Sequence, residues 1–290
     1  MIYTLSNDKI IASFDTLGAE LISVKSIDGC EYIWQADPTY WAEHSPIMFP
    51  ICGRLPSGRY TYEGKTYEMV HHGFTRKCEF EMTEKTENSI CFTLFANDTT
   101  RAAYPFDFEL KVTYTLDGNT VEMRGDIKNK NDKVMPASFG AHPGFNVPLD
   151  TGSFEDWYIE FGEECTPDLL IFSDSLIDSG KRKPYPLADG LTLPLRHSLF
   201  DIDGVFMSHM ATKATLKSDN SSRSVTLIYP QMPYLGIWHK PQTEAPYVCI
   251  EPWCGLPSFD GVIDDVMTKN DMLHLLPAHS HTYSYDIIFA

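Results

Sequence analysis

Along most of the chain, apolar and polar residues alternate with a period of two, the spacing of half-buried strands. Glu20–Ser26, Ser89–Phe95, residues 108–114 and Thr120–Asn129 all carry it. Asp117-Gly118, between the last two runs, signals a hairpin, and Gly64 between the Tyr-rich runs 60–62 and 65–67 signals another. Helical candidates are few, residues 38–43 and a turn at 105–107. Residues 180–189, with Lys181, Arg182, Lys183, Pro184 and Pro186, read as an excursion loop on one face. With 18 Gly and 19 Pro to punctuate short strands, the pattern is that of an all-β sandwich or large open barrel. No repeat, low-complexity tract or linker divides it, so residues 1–290 are expected to form one domain, although length alone would suggest about two.

Composition narrows the partners. The chain is 43% hydrophobic and 22% charged, enough to build a large core and too little charge for disorder. Forty acidic against 23 basic residues leave a net charge of -17, which repels nucleic acid and anionic membrane surfaces but not a small neutral molecule. The first residues lack a basic region followed by an apolar run, and no stretch approaches the roughly 18 apolar residues of a membrane span. The seven cysteines (30, 52, 78, 91, 165, 249 and 254) are scattered and odd in number, as in a reducing compartment. A cytoplasmic protein is expected.

Four segments carry candidate chemistry. In Met48-Phe49-Pro50-Ile51-Cys52-Gly53-Arg54-Leu55-Pro56, the prolines and Gly53 confine the loop around Arg54, as an anchored side chain requires. The bland alternative is a surface cation. Val70-His71-His72-Gly73-Phe74-Thr75-Arg76 sets two histidines side by side. Neighbours on a strand would point to opposite faces, so a shared metal ion is not expected. In Ala137-Ser138-Phe139-Gly140-Ala141-His142-Pro143-Gly144-Phe145-Asn146, His142 is the last side chain before a Pro-Gly turn. Strand ends are where scaffolds place reactive groups, and imidazole exchanges protons near neutrality. In Tyr247-Val248-Cys249-Ile250-Glu251-Pro252-Trp253, alternation puts Val248 and Ile250 on one face and Tyr247, Cys249, Glu251 and Trp253 on the other. Aromatic rings suit the C–H faces of a sugar, and a partly desolvated Glu has its pKa raised toward that of a working base. An edge-strand Glu in a salt bridge is the competing reading.

In this order, the four segments resemble the aldose 1-epimerase (galactose mutarotase-like) family over nearly the whole chain. Trp238-His239-Lys240-Pro241 and Cys249-Ile250-Glu251-Pro252-Trp253 look like its LacX-like branch. The resemblance implies a galactose mutarotase-like β-sandwich with a sugar groove across one sheet. It implies Glu251 as general base, His142 as general acid, and His72 and Arg54 as sugar ligands; Arg76, at the end of the stretch that resembles the family's His-Gly-Phe-x-Arg motif, is a further substrate-binding candidate. An Asp that binds sugar hydroxyls maps onto Asp203, with Asp201 close by; Trp253 and Tyr247 would line the groove. Where the galactose-specific branch has a segment resembling Asn-x-x-x-His-x-Tyr-Phe-Asn, this chain has Ser138 first and lacks the Tyr. That bears on sugar preference more than on chemistry.

The expected activity is anomer exchange of an aldohexose by acid–base ring opening, with no metal, cofactor or covalent intermediate required. A hexose 6-phosphate is the alternative substrate, with Arg54, Arg76 and Lys77 supplying local positive charge. A sugar-binding regulator without turnover is a third reading. A glycosidase is disfavoured, because no second carboxylate sits in a comparably dense motif. Monomer and homodimer both remain open.

Overall fold

A computed structural model describes residues 1–290. It is mostly β-sheet (47%) with 7% helix. One large sheet has nine antiparallel strands. From one edge they run Thr192–Pro194, Tyr158–Phe161, Lys213–Lys217, Ser224–Ile228, Ser280–Phe289, Thr120–Asn129, Phe108–Asp117, Ser89–Phe95 and Glu81–Lys85. The second sheet runs Asp178–Pro184, Asp168–Phe172, Val205–Ser208, Tyr234–Trp238, Tyr247–Trp253, Gly140–Ala141 and Ile47–Met48. An eighth short strand, Gly144–Asn146, also pairs with Tyr247–Trp253. Alternate residues of the two sheets interdigitate in a contiguous cluster of 65 buried hydrophobic residues. The all-β sandwich expected from alternation is what forms.

Both hairpins lie where glycine signalled them. Phe108–Asp117 and Thr120–Asn129 are joined through Gly118 and Asn119, and Arg59–Tyr62 pairs with Lys65–Glu68 across Gly64. Two local expectations are corrected. Residues 38–43 are not helical: Tyr40 and Trp41 both donate backbone N–H groups to the Asp37 carbonyl in a tight turn, and the Asp37 side chain caps Thr39. The α-helix is instead Asp98–Ala103, closed by a reciprocal Asn97–Thr100 capping box. It is too short to carry an apolar period, so only the cap marked it. Likewise, part of the expected loop at 180–189 is the edge strand Asp178–Pro184. Its exposed Lys181 and Lys183 protect that edge against pairing with another chain.

The strand Tyr247–Trp253 is buried on both faces. Val248 and Ile250 enter the main core. Tyr247, Cys249 and Trp253 pack on the opposite side, in separate small clusters. The second sheet therefore has a covered outer face, and the cavity described next is cut into it.

Candidate active site

The two short strands 140–141 and 144–146 pair with one edge of Tyr247–Trp253, and between them the chain breaks at His142-Pro143. The register is Gly140 opposite Trp253 and Gly144 opposite Cys249, which brings residue 142 opposite residue 251. Backbone pairing alone thus brings the two candidates together. His142 Nε2 lies 3.3 Å from Glu251 Oε1. On the other flank, Glu251 faces Gly236, where a Cβ would come within 2.8 Å of the Phe206 ring. Glycine there lets Phe206 pack beside the carboxylate.

Glu251 is 1% exposed and His142 8%. Both Glu251 oxygens, His142 Nδ1 and Trp253 Nε1 are buried without a hydrogen-bond partner. A buried polar atom without a partner costs about 1–3 kcal/mol. Four of them around one cavity mark groups held ready for a polar ligand. The cavity has a volume of about 310 Å³.

Two loops build its opposite wall. The loop at 49–54 and the loop at 71–76 are laced through backbone bonds, from His72 N–H to the Gly53 carbonyl and from Phe74 N–H to the Phe49 carbonyl. Gly73 is at φ +75°, and a Cβ there would sit 2.0 Å from the Phe49 carbonyl oxygen. No side chain fits, which gives the His-Gly-Phe motif its physical reason. Gly73→Ala is expected to cost at least about 2 kcal/mol from the left-handed backbone and the clash combined. A thermal melt checks this, with activity falling as the two loops separate.

His72 itself has φ +63°, so 71–72 is a turn rather than a strand. The expectation that the two histidines point to opposite faces is therefore corrected. Their ring centroids are 3.6 Å apart, and both line the cavity. The Gly53 N–H donates to His72 Nδ1, which leaves the proton of the neutral ring on Nε2. His72 thus offers a donor.

Arg54, Arg76, Asp203 and Trp253 also line the cavity, as expected, while Asp201 lines a neighbouring groove. Asp203 accepts a 3.1 Å bond from the Trp238 indole. Arg76 is paired with Glu43 at 3.0 Å. Tyr247 and Lys77 are not among the lining residues. Tyr247 stands behind, stacked on Trp34 at 4.5 Å and on Trp41 at 5.8 Å, and Trp41 in turn stacks on His142 at 4.8 Å. It supports the wall rather than forming it. Trp41, Glu43, His71 and Trp238 line the cavity without having been singled out as site residues. Trp41 and Glu43 carry no local signal of a site, since Asp37-Pro38 ahead of them has the composition of a helix start.

Burial dominates the electrostatics. It pushes the Glu251 carboxyl well above the usual carboxylate range, with the Asp203 charge adding to the effect. It lowers His142 to about 3, with Arg76 contributing, and His71 to about 2, with Arg54 and Arg76 contributing. His72 is lowered for the same reason, and Asp203 is raised by burial against the pull of Arg54. Donor atoms of His142, Cys249 and Glu251 lie within 4.8 Å of one another, the spread of a loose metal cage. Burial holds the Cys249 thiol well above its ordinary pKa, which opposes the thiolate form that a soft metal takes.

Comparison with known proteins shows the family and the fold. The family model described as aldose 1-epimerase matches residues 1–262. The chromosomal Protein LacX of Lactococcus lactis subsp. lactis is 35% identical over 300 residues, covering 99% of each chain. A solved galactose mutarotase related enzyme from Lactobacillus acidophilus superposes with TM-score 0.96 at 35% identity, over 100% of this chain and 97% of that one. A galactose mutarotase-like protein from Lactobacillus casei gives TM-score 0.95 at 32% identity, over 100% of both chains. On this match, which spans nearly the whole chain, the chain belongs to the aldose 1-epimerase family.

Proposed function

We propose that this protein interconverts the α and β anomers of a free aldohexose, with Glu251 and His142 as the proton-transfer pair. The observation that carries the reading is the buried His142–Glu251 contact at 3.3 Å with both carboxylate oxygens unpartnered. Binding alone does not need an acid–base pair in contact, so this observation also speaks against a regulator without turnover.

Ring opening removes the proton from O1 and delivers one to O5 as the C1–O5 bond breaks and C1=O1 forms. Glu251 as carboxylate takes the first proton, and His142 as imidazolium gives the second, with the Nε2–H of His72 directed at the ring oxygen. The pair then holds the same single proton in its other arrangement, as carboxylic acid and neutral imidazole. After rotation about C1–C2, the reverse transfers close the ring on the other face. The neutral arrangement is the one that burial favours. Bound hydroxyls solvate the ionic arrangement and bring the two close in energy.

The cavity's own charges favour an uncharged sugar. Arg76 is matched by Glu43, and Arg54 lies in the field of Asp203, while the three histidines are held neutral. Of the three cations that the phosphate reading draws on, Arg54 and Arg76 line the cavity and Lys77 does not. Optical-rotation relaxation of freshly dissolved aldohexoses and their 6-phosphates tests this. The free sugars are expected to equilibrate faster; a higher kcat/KM for the phosphates would overturn the assignment.

A pH profile checks the one-proton requirement. Below neutrality, activity is lost when the pair takes a second proton, and the lowered His142 pKa delays that loss to acid pH. Above neutrality, activity is lost when the pair gives up its only proton, and the raised Glu251 pKa delays that loss to alkaline pH. The expected kcat/KM profile is flat through neutrality, with a unit slope on each side, reporting the pair rather than either residue.

A further inference from the structure

Of the three imidazoles that line the cavity, His71 is the one that the proton transfers leave without a task. The chain at 70–73 turns through two successive left-handed positions, His72 at φ +63° and Gly73 at φ +75°. The turn leaves Val70 53% exposed and brings both imidazoles into the cavity wall, 3.6 Å apart and 32° from parallel. The two rings differ in what they have free. His72 Nδ1 is taken by the Gly53 N–H. The ring of His71 makes no hydrogen bond within the protein, so one donor and one acceptor are free for a ligand.

Its position relative to the reacting bond follows from its neighbours. His142, 3.3 Å from Glu251, has the His72 ring edge-on at 5.6 Å, and His71 stacks on His72 at 3.6 Å. Burial is the main influence on both rings, but the charges that come next differ. On His71, Arg54 and Arg76 weigh more than His142; on His72, His142 weighs more than either arginine. The order along the wall is therefore Glu251, His142, His72, His71. In the ring-opening step Glu251 serves O1, and His142 with His72 serves O5. The same direction continued leads from the ring oxygen away from C1, to C5 and its substituent. In an aldohexose that substituent is a hydroxymethyl group, which both donates and accepts a hydrogen bond. A neutral imidazole does the same, and burial holds His71 neutral.

We infer that His71 is a specificity-determining residue that hydrogen-bonds the 6-hydroxyl of the sugar, so that the substrate is an aldohexose with a free CH2OH at C5 and not a 6-deoxyhexose or an aldopentose. This deepens the anomer-exchange reading and rests on it. A ring that only props His72 in place is the competing reading. The two differ in whether the His71 nitrogens matter.

The test compares anomer exchange of galactose and glucose with that of their 6-deoxy forms. In wild-type protein each parent sugar is expected to have a kcat/KM at least about 10-fold above its 6-deoxy form, the scale of one hydrogen bond lost from a desolvated polar group. His71→Phe keeps a ring to stack on His72 and removes both nitrogens. It should bring that ratio to within about twofold of one. His71→Gln keeps a donor and an acceptor and should retain more of the ratio than His71→Phe. A wild-type ratio near one, a ratio that survives in His71→Phe, or no difference between the two variants would overturn the assignment. If folded wild-type protein accelerates none of these sugars, the anomer-exchange reading fails. A titration of intrinsic fluorescence, reported by Trp41, Trp238 and Trp253 in the cavity wall, then decides the role of His71 alone. Tighter binding of galactose than of 6-deoxygalactose, lost in His71→Phe, supports it; equal binding of the two by wild-type protein overturns it.

Discussion

Replacing Glu251 by Gln is expected to lower the catalysed anomer-exchange rate by at least about 10³-fold while leaving the fold intact or slightly more stable. The loss follows from the reaction, because an amide cannot take the O1 proton. General-base assistance is worth about 10²–10⁴-fold, and here no other carboxylate contacts His142 to replace it. The stability gain follows from burial. Glu251 is 1% exposed and both its oxygens are buried and unpartnered, a cost that a neutral isostere reduces. Polarimetry on the variant, beside a thermal melt, separates the two effects. A variant that is inactive because it is unfolded would contradict the second half of this expectation.

The second large effect is expected at His142. His142→Asn removes the O5 proton donor and should cost about 10²–10⁴-fold in kcat, with a smaller change in KM. The decisive feature is the double variant. The two residues pass one proton between them, so once either is gone the other has no counterpart. Glu251→Gln combined with His142→Asn should therefore be no slower than the slower single variant by more than about threefold. Losses that multiplied would mean two independent catalysts, and the shared-proton mechanism would be wrong. His142→Asn also removes the ring stacked at 4.8 Å on Trp41, so the melt is needed as a control.

The sequence shows much of the fold and less of the site, for reasons that differ by residue. Strands such as Glu20–Ser26, Ser89–Phe95 and Thr120–Asn129 are legible to the residue, because one face must be apolar and the period is local. The six-residue helix Asp98–Ala103 is not, since it buries little beyond Thr100 and offers no period. At the site, motif resemblance selected His142 and Glu251. Their contact depends on a strand pairing more than 100 residues apart in sequence, which alternation cannot express. Strand periodicity at 71–72 turns His71 away from His72, and the left-handed turn at His72 reverses that geometry. Tyr247 was placed in the groove by correct alternation. Alternation fixes the face but not the neighbour, and Trp41 lies between Tyr247 and His142. Trp41 was missed because a turn capped by Asp37 looks like a helix start when only composition is read.

The central claim is that Glu251 and His142 together exchange anomers of a free aldohexose. The most direct test is magnetisation-exchange NMR between the α and β anomeric protons of galactose or glucose at equilibrium. Exchange peaks that grow with wild-type protein and vanish with Glu251→Gln are the predicted result. Exchange undiminished in Glu251→Gln, or absent with folded wild-type protein, would contradict it.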